Sequence, residues 1–397
     1  MSDFFKTKSQ FYLPKGIIYL DGNSLGPLPK KAQDRIQHTL NYEWGEMLVT
    51  GWNKAGWMDQ PNKVGDRIAK LIGATSKTIT VGDTLSIKVF QALASATNYQ
   101  KNRKVLLTDS SNFPSDIYAA QGLVDMLQDD HQVKIVSTDD LIDNINENVA
   151  AVFFTEVDYK TGRRYDAKKI IKAAKQNGSL VILDLAHSAG AIDTNLTELD
   201  VDLAVGCTYK YLNGGPGSPA FIYVAPKYIN EVEPALFGWH GHKSPFDFSL
   251  SYEASIGIDK MRIGSPSIIS FSALRHSLDI WEDIDLSELR KRSIVLSELF
   301  ISELDKLSLN FKLACPRDPN KRGGQISYIC ENGYEFMQAF IGKKLIGDFR
   351  APNLIRFGFS PLYLDENDIL KAIKIIDQVS KNELWKNYKN INRKTVT

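Results

Sequence analysis

The sequence has few cysteines, no excess charge of either sign and no hydrophobic run long enough to cross a membrane. Its 397 residues include three cysteines, Cys207, Cys315 and Cys330, without the CxxC spacing of a metal or redox site. The 48 Lys and Arg residues balance 47 Asp and Glu residues, which argues against nucleic acid as a partner. Because the six histidines form no close pair except His240 and His242, no metal site is predicted.

The first residues, MSDFFKTKSQFYL, lack the apolar core of a signal peptide. Three thiols without a pairing pattern suit a reducing compartment. We therefore expect a cytoplasmic protein that is not bound to a membrane. The length leaves room for two domains with a sizeable core, which favours an enzyme acting on a small molecule.

Helical and strand patterns alternate from about residue 61 to residue 270. Strands spaced by helices of about 10 to 15 residues are typical of βαβ units around a mostly parallel sheet. After residue 270 helices dominate, with fewer strands. We predict an α/β fold with an N-terminal arm over 1–60, a large domain over 61–270 and a smaller α+β domain over 271–397. We also expect one helix over about 30–47, another over 271–284, and a frayed basic tail after Trp385.

Two chemically active side chains follow buried strand patterns. Asp184 ends the strand pattern in VILDLAHSAGA, with His187 one turn later, and Lys210 follows the next strand in DLAVGCTYKYLNGG. Ligands of parallel sheets collect at the carboxyl ends of strands. Pyridoxal phosphate requires a lysine for its Schiff base and an acid against its pyridinium nitrogen. The pair predicts a pyridoxal phosphate site, although an Asp can simply cap a helix and a lone Lys is usually solvated.

Two further segments suit the phosphate and the ring of this cofactor. Leu85 and Ser86 begin a helix in GDTLSIKVF, where free backbone N–H groups favour a phosphate. The alternative is an ordinary serine cap. SNFPSD offers an aromatic ring in Phe113 and a carboxylate in Asp116, although a Phe before Pro is often plain packing. His187 is either a cofactor contact or a core imidazole.

Seven segments together resemble the kynureninase family. In chain order they are YLDGNSLG, GWNKAGWMD, SNFPSD, DLAHSAGA, YKYLNGGPGSPAF, FGWHGH and IRFGFSPLY, and they cover most of the chain from about Tyr19 to Tyr363. The resemblance implies a pyridoxal-phosphate hydrolase of the aspartate-aminotransferase fold (fold type I). It implies cleavage of the Cβ–Cγ bond of L-kynurenine or 3-hydroxy-L-kynurenine to anthranilate or 3-hydroxyanthranilate and alanine, in tryptophan catabolism. It also implies a homodimer with active sites at the subunit interface.

The resemblance also implies roles for individual residues. Lys210 would form the Schiff base, Asp184 would face the pyridinium nitrogen, and Tyr209 would lie near the phosphate. Further cofactor contacts would come from Leu85, Ser86, Phe113, Pro114, Ser115, Asp116, His187, Trp239 and Ser265. Ser265, before Pro266, departs from the Thr or Asn of the family but keeps a hydroxyl.

For the substrate, we expect Arg356 to clamp the α-carboxylate, because a guanidinium matches a carboxylate in a bidentate way. Trp52 and Trp57 are candidates for the aryl pocket, with Asn23 and Ser24 as possible additions. The two tryptophans are equally compatible with core or dimer packing.

Another enzyme of the same fold, such as a cysteine desulfurase or a transaminase, is the nearest alternative. A desulfurase needs a mobile cysteine as nucleophile. Cys315, in a loop before Pro316, is the only plausible one, and desulfurases usually place His where this chain has Tyr209. A non-enzymatic scaffold would have no need to keep Lys210, Asp184 and Arg356 together. The sequence leaves open which of the two kynurenines is preferred.

Overall fold

The computed structural model describes residues 2–389 and 392–393, and a seven-stranded sheet forms its centre. In spatial order the strands are Ile79–Val81, Phe221–Val224, Leu203–Gly206, Leu180–Asp184, Val149–Thr155, Val105–Asp109 and Gln132–Val136. Phe221–Val224 runs antiparallel to both of its neighbours, and the other neighbouring pairs are parallel. The prediction of an α/β fold with a mostly parallel sheet is confirmed.

The strands at the middle of this sheet are apolar on both faces, as buried parallel strands require. Along Leu180–Asp184, Val181 and Leu183 enter one hydrophobic cluster, whereas Leu180 and Ile182 enter another. This alternation follows from the two-residue period of a strand. Helices supply the covering layers, among them Gln60–Leu71, Leu85–Tyr99, Pro114–Leu127 and Ala167–Gln176.

A smaller C-terminal domain contains a four-stranded antiparallel sheet. Its strands, in spatial order, are Asp348–Arg350, Leu354–Gly358, Gln325–Ile329 and Lys312–Leu313. The helices of this part of the chain are Ile268–Ser277, Leu286–Asp305, Gly333–Gly342 and Glu366–Lys381. The side chain of Asp365 accepts a hydrogen bond from the Asp368 N–H and begins the last of these helices.

The N-terminal residues run along the C-terminal domain. Strand Ile18–Tyr19 pairs in parallel with Leu345–Ile346, and Lys8 Nζ lies 2.6 Å from Asp365 Oδ2. These contacts hold the loop containing Asn23 and Ser24 close to the small sheet. Short helices of the arm and of the large domain are Phe4–Ser9, Gly51–Lys54 and Leu196–Leu199.

Two of the predicted helices are shorter than expected. The α-helix Lys30–His38 gives way to a π-helical turn over Thr39–Trp44, which directs the buried Glu43 towards Arg35 and Trp57. The helix expected over 271–284 is α-helical over Ile268–Ser277 and narrows to a 3₁₀ helix over Leu278–Asp283. Other 3₁₀ turns are Leu48–Thr50, Trp57–Asp59, Ile142–Asn144, Trp239–Gly241, Gly257–Met261 and Pro319–Lys321.

The tail after Trp385 is partly ordered, contrary to expectation. Leu384–Tyr388 forms a 3₁₀ helix, and the Trp385 ring stacks on Phe336 with 5.0 Å between ring centroids. This apolar contact explains the order, since it buries Phe336 and shields part of the Trp385 ring from water. The rest of the predicted tail lies mostly outside the described residues. Within residues 2–389 and 392–393, every helix is too short or too polar to span a lipid bilayer.

Candidate active site

A cavity of about 320 Å³ lies at the carboxyl ends of the central strands. Asp184 and Thr155 are the last residues of neighbouring strands and are paired in register, so both reach the same edge of the sheet. The cavity is lined by Thr84, Leu85, Ser86, Phe113, Ser115, Thr155, Tyr159, Asp184, Ala186, His187, Tyr209 and Lys210. The cofactor residues proposed on sequence grounds therefore largely converge on one space, with Pro114 and Asp116 on the same segment as Phe113.

Lys210 reaches into this cavity and contacts His187. Its Nζ lies 2.8 Å from His187 Nε2, and 6.0 and 5.8 Å from the ring centroids of Phe113 and Tyr209. The ring of Phe113 is partly exposed and meets Tyr159 edge to face at 4.8 Å. An amine is thus held between aromatic rings and an imidazole, beside space for a planar ligand.

Burial disfavours the charged forms of the two carboxylates of the site, and a cationic ligand would stabilise them. Burial raises the pKa of Asp184 to about 6, while the Lys210 charge and the Ala186 N–H oppose this shift. Burial and the neighbouring Asp184 raise the pKa of Asp116 well above its usual range. A positively charged ring nitrogen next to Asp184 would stabilise its charged form. The site therefore fits a protonated pyridine.

The start of a helix in the cavity lining fits a phosphate. Thr84, Leu85 and Ser86 line the cavity at the beginning of helix Leu85–Tyr99, and the Thr84 side chain does not cap the free N–H groups of the first turn. Uncapped N–H groups and the helix dipole together favour an anion. The acid, the lysine and this helix end match the three groups that pyridoxal phosphate presents.

Arg356 is not among the residues that line the cavity, but it belongs to a polar cluster that includes the carbonyl of the lining residue Tyr159. Its side chain is 1% exposed; its Nε lies 2.7 Å from Asp348 Oδ1, and its Nη2 donates to Asp348 Oδ2. Its Nη1 donates to the Tyr159 carbonyl, and Ser24 Oγ lies 3.2 Å from Nη2. Although burial opposes it, the pairing with Arg356 holds the pKa of Asp348 below its usual range. The guanidinium is therefore charged and rigidly oriented.

The remaining predicted residues do not line this cavity. Trp239 is 45% exposed and packs on Phe246 and Phe248, while Ser265 is exposed. Trp57 is buried and donates to Glu43 Oε2 at 3.0 Å.

Two other predicted residues, Trp52 and Asn23, also lie outside the cavity. The ring of Trp52 lies 6.1 Å from that of His240, centroid to centroid. Asn23 is fully buried, and neither of its side-chain amide atoms has a hydrogen-bond partner in the described structure.

Sequence reasoning missed several residues of the site. Thr155, Tyr159 and Ala186 line the cavity, and two more, Gln325 and Asp348, hold His187 and Arg356 from the small sheet. Thr155 could have been found, because AVFFTEV is a buried strand pattern whose end must lie at the same edge as Asp184. Gln325 and Asp348 carry no such signal, since their partners lie far away in sequence.

Comparison with known proteins places the chain in a family. The family model for the kynureninase C-terminal domain matches residues 289–376. Kynureninase of Burkholderia mallei (strain SAVP1) is 40% identical over 98% of this chain and 95% of that protein. Kynureninase of Pseudomonas fluorescens is 40% identical over 95% of this chain and 92% of that protein.

The chain belongs to the kynureninase family. It is accordingly a pyridoxal-phosphate-dependent hydrolase that acts on a carbon–carbon bond. This confirms the family resemblance seen in the seven sequence segments.

Solved structures of other enzymes share the fold at low sequence identity. The cysteine desulfurase of Thermococcus onnurineus NA1 superposes with a TM-score of 0.80 over 96% of this chain and 99% of that chain, at 17% identity. The cysteine desulfurase CsdA of Escherichia coli gives a TM-score of 0.81 over 96% of this chain and 99% of that chain, at 16% identity. These structures establish fold type I for this kynureninase-family chain.

The uncapped helix end generates a prediction about cofactor affinity. Leu85→Pro deletes one N–H at the first helical position, where proline is tolerated because Thr84 is already extended. We expect the dissociation constant for pyridoxal phosphate to rise roughly tenfold, the worth of one charge-assisted hydrogen bond. Absorbance titration of cofactor-free protein measures it. Leu85→Ala, which keeps the N–H, is the matched control, and equal weakening in both variants would contradict the assignment.

Proposed function

We propose that this enzyme hydrolyses the Cβ–Cγ bond of L-kynurenine or 3-hydroxy-L-kynurenine, releasing the aromatic acid and L-alanine. The observation that carries the proposal is the single cavity formed by Asp184, Lys210 and an uncapped helix end, in a chain 40% identical to kynureninases over nearly its full length. We further propose that it acts in the cytoplasm, in tryptophan catabolism and the supply of NAD precursors.

Lys210 is the proposed acid–base residue of the reaction. When bound, pyridoxal phosphate supplies an electron sink for carbanion chemistry at the substrate α-carbon. Lys210 Nζ lies beside the cavity and takes the α-proton, while His187 holds the amine at 2.8 Å. Asp184 would supply the negative charge that keeps the ring nitrogen of the bound cofactor protonated. Phe113, which also lines the cavity, would help to hold the ring.

Tyr209, which lines the cavity, is the residue proposed to assist the addition of water to the side-chain ketone. Burial raises the pKa of its phenol, so the hydroxyl keeps its proton and acts as a hydrogen-bond donor. A donor of this kind stabilises negative charge that develops on the ketone oxygen. Hydration of the ketone then allows the Cβ–Cγ bond to break: Cγ is released as the carboxyl group of the aromatic acid, and the electron pair of the bond stays on Cβ, which takes up a proton to become the methyl group of alanine.

Arg356 is the proposed binding group for the α-carboxylate. Asp348 occupies Nε and one N–H of Nη2, so the N–H groups that remain belong to Nη1 and Nη2. The 3.2 Å contact from Nη2 to Ser24 Oγ is the longest of these hydrogen bonds and the one that a substrate carboxylate would replace. Asp348 therefore orients the guanidinium in advance of binding.

We propose that the enzyme is a homodimer whose active sites lie at the interface. Trp239 and Ser265 are outside the cavity of their own chain, and apolar residues exposed beside Trp239 include Phe237 at 67% and Phe248 at 72%. Contiguous exposed apolar surface of this kind marks an interface. In a dimer these residues, together with Trp52, would complete the aryl pocket and cofactor site of the partner subunit.

A cysteine desulfurase is disfavoured by the state of the thiols. Cys207, Cys315 and Cys330 are all buried and unpaired. Burial raises the pKa of Cys315, the candidate nucleophile, and raises that of Cys330 to about 12. A buried neutral thiol is a poor nucleophile, which a desulfurase could not use.

The proposed activity is tested by turnover of L-kynurenine and 3-hydroxy-L-kynurenine with purified protein and pyridoxal phosphate. We expect alanine and the aromatic acid in equal amounts, and loss of both products in Lys210→Ala because the proton acceptor is gone. The ratio of kcat/KM for the two ketones identifies the preferred substrate. A yellow holoenzyme that cleaves neither ketone would refute the proposal while leaving the family membership intact.

Arg356→Lys tests the carboxylate site. Lysine cannot reproduce the bidentate pair, so we expect KM for the kynurenine substrate to rise by about 10- to 100-fold with a smaller change in kcat. Steady-state kinetics measure both constants. Arg350→Lys is the matched control, since Arg350 also lies near Asp348, at 3.0 Å, but is partly exposed. Unchanged KM in Arg356→Lys would remove Arg356 from the substrate site.

Mixing two defective variants tests the shared active site. Lys210→Ala damages the cavity of its own chain, whereas Trp239→Ala damages the partner's site if the dimer is arranged as proposed. Heterodimers isolated with two affinity tags then contain one site free of both changes, and we expect activity well above that of either homodimer. Heterodimers with no such recovery would show that Trp239 does not serve the partner.

A further inference from the structure

A chain of hydrogen bonds connects Lys210 with Arg356 through the small sheet. His187 bridges Lys210 and Gln325: its Nε2 lies 2.8 Å from Lys210 Nζ, and its Nδ1 lies 3.0 Å from Gln325 Oε1. Gln325 Nε2 donates to the carbonyl of Tyr159 at 2.8 Å, and Arg356 Nη1 donates to the same oxygen. Gln325 and His187 are both buried, so water does not compete for these contacts.

The carbonyl of Tyr159 fixes the orientation of the Gln325 amide. A backbone carbonyl accepts hydrogen bonds and cannot donate them, so the amide nitrogen of Gln325 must face it. The amide oxygen must then face His187. Because that oxygen can only accept, the contact is a hydrogen bond when Nδ1 of His187 carries a proton. In the opposite tautomer, two lone pairs would face each other inside the protein.

We propose that Gln325 is a positioning residue that keeps the proton of His187 on Nδ1 and so presents its Nε2 to Lys210. The inference rests on the proposed function only in taking Lys210 as the reacting amine. In the cofactor-free protein the Nε2 lone pair accepts an N–H of Lys210, which orients the amine at the cavity wall. The Tyr159 carbonyl also accepts a hydrogen bond from Arg356. One carbonyl therefore orients both Gln325, which acts on His187 and Lys210, and Arg356, the proposed binding group for the substrate carboxylate.

The position of the proton is measured directly by nitrogen NMR of histidine. Protein labelled with ¹⁵N-histidine contains six histidines, and His187→Gln identifies the signals of His187 by their absence. We expect Nδ1 to have the chemical shift of a protonated nitrogen, both without cofactor and with pyridoxal phosphate bound. An unprotonated Nδ1 in the wild-type protein would overturn the proposal, whatever the enzyme turns over.

Variants of the same strand separate positioning from folding. In Gln325→Leu the acceptor is lost, and we expect His187 to show a mixture of tautomers and kcat to fall roughly tenfold, the worth of one hydrogen bond. Gln325→Glu restores an acceptor of the same length and should restore protonation of Nδ1. An Nδ1 signal unchanged in Gln325→Leu would show that another group fixes the tautomer.

Ser327→Ala is the matched control for these variants. Ser327 lies two residues further along the same strand, is fully buried, and donates to the Lys160 carbonyl at 2.6 Å. Its loss removes a buried hydrogen bond between the same strand and the same loop. Ser327 pairs through its backbone with Arg356, but its side chain makes none of the hydrogen bonds of the His187 and Arg356 side chains. We expect the His187 signals to be unchanged in Ser327→Ala. If they shift as much as in Gln325→Leu, the change in His187 comes from altered packing of the loop and not from the lost Gln325 acceptor, which would overturn the proposal.

Discussion

The burial of Asp184 beside Lys210 is the interaction on which the rest of the site depends. Removing a carboxylate and an amine from water is costly, and their mutual attraction offsets part of that cost. The pair can exist here because Asp184 ends one parallel strand and Lys210 follows the end of the neighbouring one, Leu203–Gly206, so that both line one cavity. Burial outweighs the charge of Lys210 and raises the pKa of Asp184 to about 6, which is why the site suits a cationic ring.

The small C-terminal domain holds the side chains of His187 and Arg356 in position. Strand Gln325–Ile329 supplies the acceptor for His187, and the neighbouring strand Leu354–Gly358 supplies Arg356. Asp348, on the next strand, fixes the guanidinium. Because His187 and Arg356 are both held by the small sheet, a shift of that sheet would move the imidazole and the guanidinium together.

Fold and function separate clearly in this protein. The desulfurases share its architecture over nearly the whole chain but only 17% and 16% of its sequence. In this chain the three cysteines are buried, and Tyr209 precedes Lys210. A fold shared at such low identity does not decide the reaction, which depends on the side chains of the site.

The sequence by itself determined the sheet, its parallel strands and the residues at their ends, because apolar periodicity and the position of a polar residue after a buried strand are local properties. Asp184, Lys210, Phe113 and the start of helix Leu85–Tyr99 could all be predicted in this way. Gln325, Asp348 and the Tyr159 carbonyl could not, since each acts on a partner distant in sequence and a hydrogen bond leaves no periodic pattern. Only the tertiary structure, which packs the small sheet against the large one, decided how His187 and Arg356 are held.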